Sequence, residues 1–234
     1  MAELLLPHAV DSSEIPAVSD EFGSTNWKVF NERVNQLIHG LRRQGLETGD
    51  TFSVLSGNRR EYLEAFAAAA HGGWLLVPIN WHLVPAEISY ILENSQSKAF
   101  LIDSRYYELG MRAISLENAP KISPVVVMGE PSFNNSNQPE NILSYEEFLS
   151  KEKSHEPENQ SLGGPMFYTS GTTGHPKGVK SALSQTGTPV GTLKMIGDGL
   201  SGMLSIQPRG KTLLVGANIS LCPMGIFFSS HACG

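Results

Sequence analysis

Apolar residues recur at helical spacing over residues 27–44, where Phe30, Val34, Leu37, Ile38 and Leu41 mark one face of an amphipathic helix and Gly45 follows as its C-terminal cap. The period then changes. TFSVLS (51–56) reads as a strand, residues 61–71 as an alanine-rich buried helix, and WLLVPI (74–79) as a second strand. A short helix over 85–93, the strand KAFLID (98–103), a helix near 106–117 and the strand ISPVVVM (122–128) continue the alternation. Strands alternating with helices need crossover connections, which predicts a layered α-β-α domain of the α/β class around a mostly parallel sheet.

Polar stretches interrupt this pattern. Residues 129–141, rich in Asn, Pro and Ser, predict a surface excursion, and KEKSHEPENQS (151–161) predicts a second, solvated one. Between them Ser144 is placed to cap a short helix with Tyr145 and Phe148 inward. Gly197, Gly199 and Gly202 match the dinucleotide spacing G-x-G-x-x-G, but no convincing strand precedes them, so a glycine-rich turn is expected.

Composition narrows the function classes. The chain has 234 residues, 40% hydrophobic content and a formal net charge of -6, with 17 Lys and Arg scattered rather than clustered. That is enough apolar sequence for a sizeable core and gives no footprint for nucleic acid. No apolar run approaches the roughly 18 residues that span a bilayer, so no transmembrane segment is expected. The N-terminus MAELLLPHAV lacks the basic start of a signal peptide. Cys222 and Cys233 have no metal-ligand spacing and suit reduced thiols, so the expected compartment is cytoplasmic.

The chemistry concentrates in PMFYTSGTTGHPKGVK (165–180). Three glycines and a proline rule out a helix or central strand, and the apolar run before them makes this a loop at a strand's end. Thr169, Ser170, Thr172 and Thr173 offer hydroxyls, Gly171 and Gly174 leave backbone N–H groups unshielded, and Lys177 adds a compact positive charge. Such a set suits a polyphosphate. A flexible Ser/Thr/Gly linker is the bland reading, though linkers seldom follow an apolar strand. The Walker A spacing fails, because Lys177 follows Pro176 and Gly178 stands where a magnesium-binding Ser or Thr belongs.

YTSGTTGHPKGV (168–179) resembles the phosphate-binding signature of the adenylate-forming (AMP-binding) superfamily, and from about Phe22 the order of blocks is similar to the opening of acyl-CoA synthetases. The resemblance implies that residues 1–234 are the N-terminal portion of an AMP-binding domain, without a C-terminal domain, and therefore a partial, apparently truncated synthetase inactive alone. It implies an ATP-dependent carboxylate–CoA ligase with ATP, Mg2+ and CoA, some magnesium ligands lying elsewhere, and a carboxylic acid as partner substrate. Thr169, Ser170, Gly171, Thr172, Thr173 and Gly174 would hold phosphates, and Lys177 would bind and act catalytically; His175 falls where the family varies. Gly45, Gly49, Asp50, Gly72, Pro78 and Asn80 match turn and packing positions. Val84 stands where the family often has a Ser or Thr helix cap, a loss of about 1 kcal/mol. The expected strand at 211–225 places Ile219 and Ser220 where the family carries an aromatic residue and a histidine beside the acyl pocket. A non-catalytic truncated paralogue, serving as a nucleotide-binding or partner module, is the alternative.

Overall fold

The computed structural model describes residues 2–130, 142–169, 176–180 and 186–204. Helix α1 (Ala2–Asp11) and the antiparallel hairpin β1 (Pro16–Asp20) and β2 (Gly23–Asn26) precede the alternating part. Neither had a clear pattern in the sequence. Helix α2 (Trp27–Arg43) begins where the Asn26 side-chain oxygen accepts from the Val29 N–H at 2.9 Å, and it buries the predicted apolar stripe. Gly45, with φ +90°, turns the chain out of it.

The sheet follows: β3 (Thr51–Leu55), helix α3 (Arg60–Gly72), β4 (Leu75–Ile79), helix α4 (Pro85–Asn94) and β5 (Ser97–Asp103). A short 3-10 turn (Ser104–Tyr106) leads into helix α5 (Tyr107–Ile114), which stops short of residue 117. Then come β6 (Val125–Met128), β7 (Ile142–Ser144), helix α6 (Tyr145–Ser150), β8 (Gly164–Thr169), β9 (Lys177–Lys180) and helix α7 (Gly191–Leu204). The strand order is β7-β6-β5-β3-β4-β8-β9, parallel throughout except that β9 runs antiparallel to β8.

Strand alternation divides the core into two layers. Phe52, Val54, Leu76, Ala99, Leu101, Val126 and Phe167 face α2, α3 and α6, whereas Leu55, Val77, Ile79, Phe100, Ile102, Val127 and Met166 face α4 and α5. The molecule is the expected α-β-α layering. At roughly 1.5–3 kcal/mol for each large side chain buried, these two layers are the main source of its stability.

Three sequence expectations are corrected. Gly197, Gly199 and Gly202 lie inside α7, not in a turn, because an otherwise apolar segment carries the helix through them. Residues 151–161 are largely exposed as expected but are not a free excursion: they lie along α2 as a strap, with Asn35 donating to the Ser154 carbonyl at 3.0 Å and Arg42 to the Asn159 carbonyl at 2.9 Å. Ser144 occupies the cap position of α6, but its side chain makes no capping hydrogen bond. At α4, Val84 has no acceptor for the first turn, and Glu87 provides the reciprocal half by accepting from the Val84 N–H at 3.0 Å. The expected strand at 211–225, with Ile219 and Ser220, lies outside the described residues, as do Cys222, Cys233 and residues 131–141.

Candidate functional site

The start of β8 is fixed by close backbone contacts. Gly163 threads between the end of α3 and the start of β4, where a Cβ would stand 2.2 Å from the Ala69 carbonyl oxygen and 2.3 Å from that of Trp74. No other residue fits. The Gly163 N–H donates to the Ala70 carbonyl at 3.2 Å and the Gly164 N–H to that of Trp74 at 2.9 Å, so β8 enters the sheet beside β4 in one register.

Strands β8 and β9 form a hairpin that brings the two ends of the Ser/Thr/Gly stretch together. Thr169 pairs with Lys177 across the hairpin and Tyr168 with Gly178. Thr169 and Lys177 are exposed at its open end. Gly178 suits this register because a Cβ there would stand 3.2 Å from the Tyr168 ring. Ser170, Gly171, Thr172, Thr173, Gly174 and His175 lie outside the described residues. The geometry of the site is therefore that of its two stems, with one hydroxyl and one cation placed opposite each other.

Helix α4 touches both stems. The Tyr168 hydroxyl donates to Asn94 Oδ1 at 2.7 Å, and the Tyr90 hydroxyl donates to the Pro176 carbonyl at 3.2 Å. Burial, followed by the neighbouring Tyr90, pushes the Tyr168 phenol up to about 12, so it remains a proton donor at neutral pH. Tyr90 and Asn94 were not singled out from the sequence; their i, i+4 spacing on a helix was the available signal. Beside the hairpin lies a cavity of about 350 Å³ lined by Asp50, Asn94, Lys98, Tyr168 and Lys180. Its Lys98 pairs with Asp50 at 2.7 Å.

Ligands of open α/β sheets sit outside the carboxyl ends of the strands. At the ends of β3 and β5 that space is filled by the protein itself. Fully buried Asp103 is held by Arg59 at 3.3 Å and Arg105 at 2.7 Å, and Phe22 of the first hairpin lies 4.4 Å from the Arg59 guanidinium. Burial alone would raise the Asp103 carboxyl, but hydrogen bonds from Arg105 and the charges of both arginines hold it below its usual value. The carboxyl end of β8 is not covered in this way by that network. Among the described residues no group of three His, Cys, Asp or Glu side chains could hold a metal ion, and no helix is long and apolar enough to cross a membrane.

Comparison with known proteins agrees with this architecture. Residues 7–199 match the family described as "AMP-binding enzyme". The chain is 37% identical over 161 residues to a long-chain-fatty-acid–CoA ligase of Thermus thermophilus, covering 68% of this chain and 28% of that protein. It is 34% identical over 163 residues to 4-hydroxybutyrate–CoA ligase 2 of Metallosphaera sedula, covering 65% and 28% respectively. A fatty acyl CoA synthetase structure from Mycobacterium tuberculosis superposes with a TM-score of 0.74 at 21% identity, over 98% of this chain and 42% of the other. The chain thus spans under a third of these two curated relatives. With the family match extending over most of its length, the chain belongs to the AMP-binding enzyme family.

Proposed function

We propose that this chain is the N-terminal, phosphate-binding part of an ATP-dependent carboxylate–CoA ligase. The observation that carries the reading is the pairing of Thr169 with Lys177 at the mouth of the β8–β9 hairpin, with the whole 168–179 signature between and around them. Ser170, Gly171, Thr172, Thr173 and Gly174 are proposed to complete the cradle. In the reaction proposed for the longer protein, a carboxylate oxygen bonds to the α-phosphorus of ATP as the bond to the bridging oxygen breaks, and pyrophosphate leaves with the electron pair. The CoA thiol then forms the thioester as the acyl–phosphate bond breaks, releasing AMP and a proton. No general base is required for the acid, since a carboxylic acid is ionised at neutral pH.

Such phosphoryl chemistry depends on positioning and charge neutralisation. Lys177 is the residue proposed to offset the charge that develops on departing pyrophosphate, and the Thr169 hydroxyl would donate to a phosphate oxygen. A bound Mg2+ would supply further neutralisation; the described residues show no ligand cluster for it.

Calorimetric titration of the purified chain with ATP and with tripolyphosphate tests the reading. Both should bind, and Lys177→Ala should weaken both by roughly tenfold or more, the size of a lost charge-assisted hydrogen bond. His175→Ala should change little. Absence of binding by the unaltered chain, or equal affinity in Lys177→Ala, would overturn the assignment.

A further inference from the structure

The hairpin that carries the candidate loop is poorly supported by the sheet. Strand β4 pairs with β8 only through Leu75 with Gly164 and Leu76 with Pro165, and from Met166 onward the ladder of β8 is with β9. A two-stranded hairpin is marginal by itself. Phe167 and Met166 anchor its lower half in the two core layers, at 5% and 6% exposure. In its upper half the Tyr168 ring still packs against the α4/α5 layer, but Thr169, Lys177 and Gly178 are exposed.

At that height α4 meets the hairpin. Tyr90 and Asn94 are one helical turn apart and therefore on one side of α4. Asn94 holds the outgoing stem through the Tyr168 hydroxyl, and Tyr90 holds the returning stem through the carbonyl of Pro176, the residue before Lys177. The helix is itself immobilised, with Ile88, Ile91 and Leu92 buried at 2% exposure or less against the sheet. Each stem is thus tied to a rigid element rather than to the other stem alone.

We infer that Tyr90 and Asn94 are positioning residues for the phosphate loop: they fix the separation and direction of its two stems, and so place Thr169 and Lys177 for a polyphosphate. The functional half of this inference rests on the phosphate-binding reading proposed above. The structural half does not. A preorganised loop binds more tightly because less ordering remains to be done on binding, and a group held loosely loses most of its electrostatic advantage. Tyr90→Phe keeps the ring and deletes the hydroxyl that donates to the Pro176 carbonyl. Asn94→Ala removes the acceptor for Tyr168, whereas Asn94→Asp retains one.

Amide hydrogen exchange across the full chain, read residue by residue, separates the two halves. In Tyr90→Phe and in Asn94→Ala, amides at residues 166–169 and 177–180 should exchange on the order of threefold to tenfold faster, the size of one net hydrogen bond. Amides of β3 and β5 should be unchanged, and Asn94→Asp should restore the hairpin. Tripolyphosphate affinity should fall by a similar factor in Tyr90→Phe and Asn94→Ala. Unchanged hairpin exchange, acceleration spread evenly over the chain, or unaltered hairpin amides exchanging like unstructured peptide would each overturn the inference. If the exchange pattern holds but the unaltered chain binds no tripolyphosphate, the clamp stands and the phosphate reading falls. If tripolyphosphate binds equally in all variants, the clamp does not position the site.

Discussion

Arg33 on α2 ties α3 and α6 to its own helix. Its guanidinium reaches Glu64 at 2.7 Å and both oxygens of Glu146 at 2.8 Å, and Glu64 in turn accepts from the Tyr145 hydroxyl at 2.8 Å. Glu64 is 1% exposed, and burial raises its carboxyl above the usual value although Arg33 and Tyr145 pull the other way. A carboxyl raised by folding contributes stability that is present below its unfolded value, about pH 4, and is lost as pH rises through the higher folded value. Removing Arg33 leaves that charge buried with less compensation. Arg33→Ala should therefore lower stability at pH 7 by about 3–5 kcal/mol, and Tm by about 2–4 °C for each kcal/mol. Because loss of Arg33 raises the Glu64 carboxyl further, the deficit should shrink toward pH 5, and Glu64→Gln should recover part of it. Thermal melts at the two pH values check this, and an equal deficit at both would mean that Glu64 is not the cause.

Elements that own an apolar period were legible, and those assembled from polar contacts were not. Helix α2, the alanine-rich α3 and strands β3 to β6 follow from spacing, because burying one face needs only residues that are near in sequence. The strap over 151–161 looks solvated by composition, yet Asn31 donates to Glu156 at 2.7 Å and Asn35, 2% exposed, donates to Glu156 at 3.1 Å and to the Ser154 carbonyl. These partners are more than a hundred positions away, beyond any periodicity. The start of α3 shows the same limit: Arg59 provides no cap, and Asp20 of the first hairpin accepts from the Arg60 N–H at 2.9 Å instead. At the site, the Ser/Thr/Gly composition predicts a loop whose middle lies outside the described residues, whereas its ends are strand, Thr169 in β8 and Lys177 and Gly178 in β9; that antiparallel return and its contacts with α4 depend on tertiary placement. Asn35→Ala should detach the strap's centre, costing roughly 1–3 kcal/mol for the polar atoms left unpaired. Exchange of amides over 152–159 should accelerate ahead of global unfolding. If Asn35→Ala matches the unaltered protein in both stability and strap exchange, the strap is held by other contacts.

On the scale of the whole molecule, the carboxyl ends of β3 and β5 are closed by Asp103, Arg59, Arg105 and Phe22, while the candidate loop springs from β8 near the other side of the sheet. If the chain binds ATP as proposed, recognition should rest on the phosphates, because the signature residues brought together among the described ones are the hydroxyl of Thr169 and the cation of Lys177. ADP and tripolyphosphate should compete with ATP, and adenosine should not. Binding dominated by phosphate charge should also weaken as salt rises, since exposed Lys177 is screened over a Debye length of about 10 Å at 0.1 M. The same geometry limits the chemistry, for pyrophosphate departure and thiol attack need groups on more than one side of the α-phosphorus. This chain, supplied with ATP, Mg2+, CoA and a panel of short, long and aromatic acids, should form no acyl-CoA unaided. Competition calorimetry at two salt concentrations and a thioester assay decide the matter together. Tight, salt-independent adenosine binding or thioester formation would require a complete active site within these 234 residues, and the phosphate-only account would have to be abandoned.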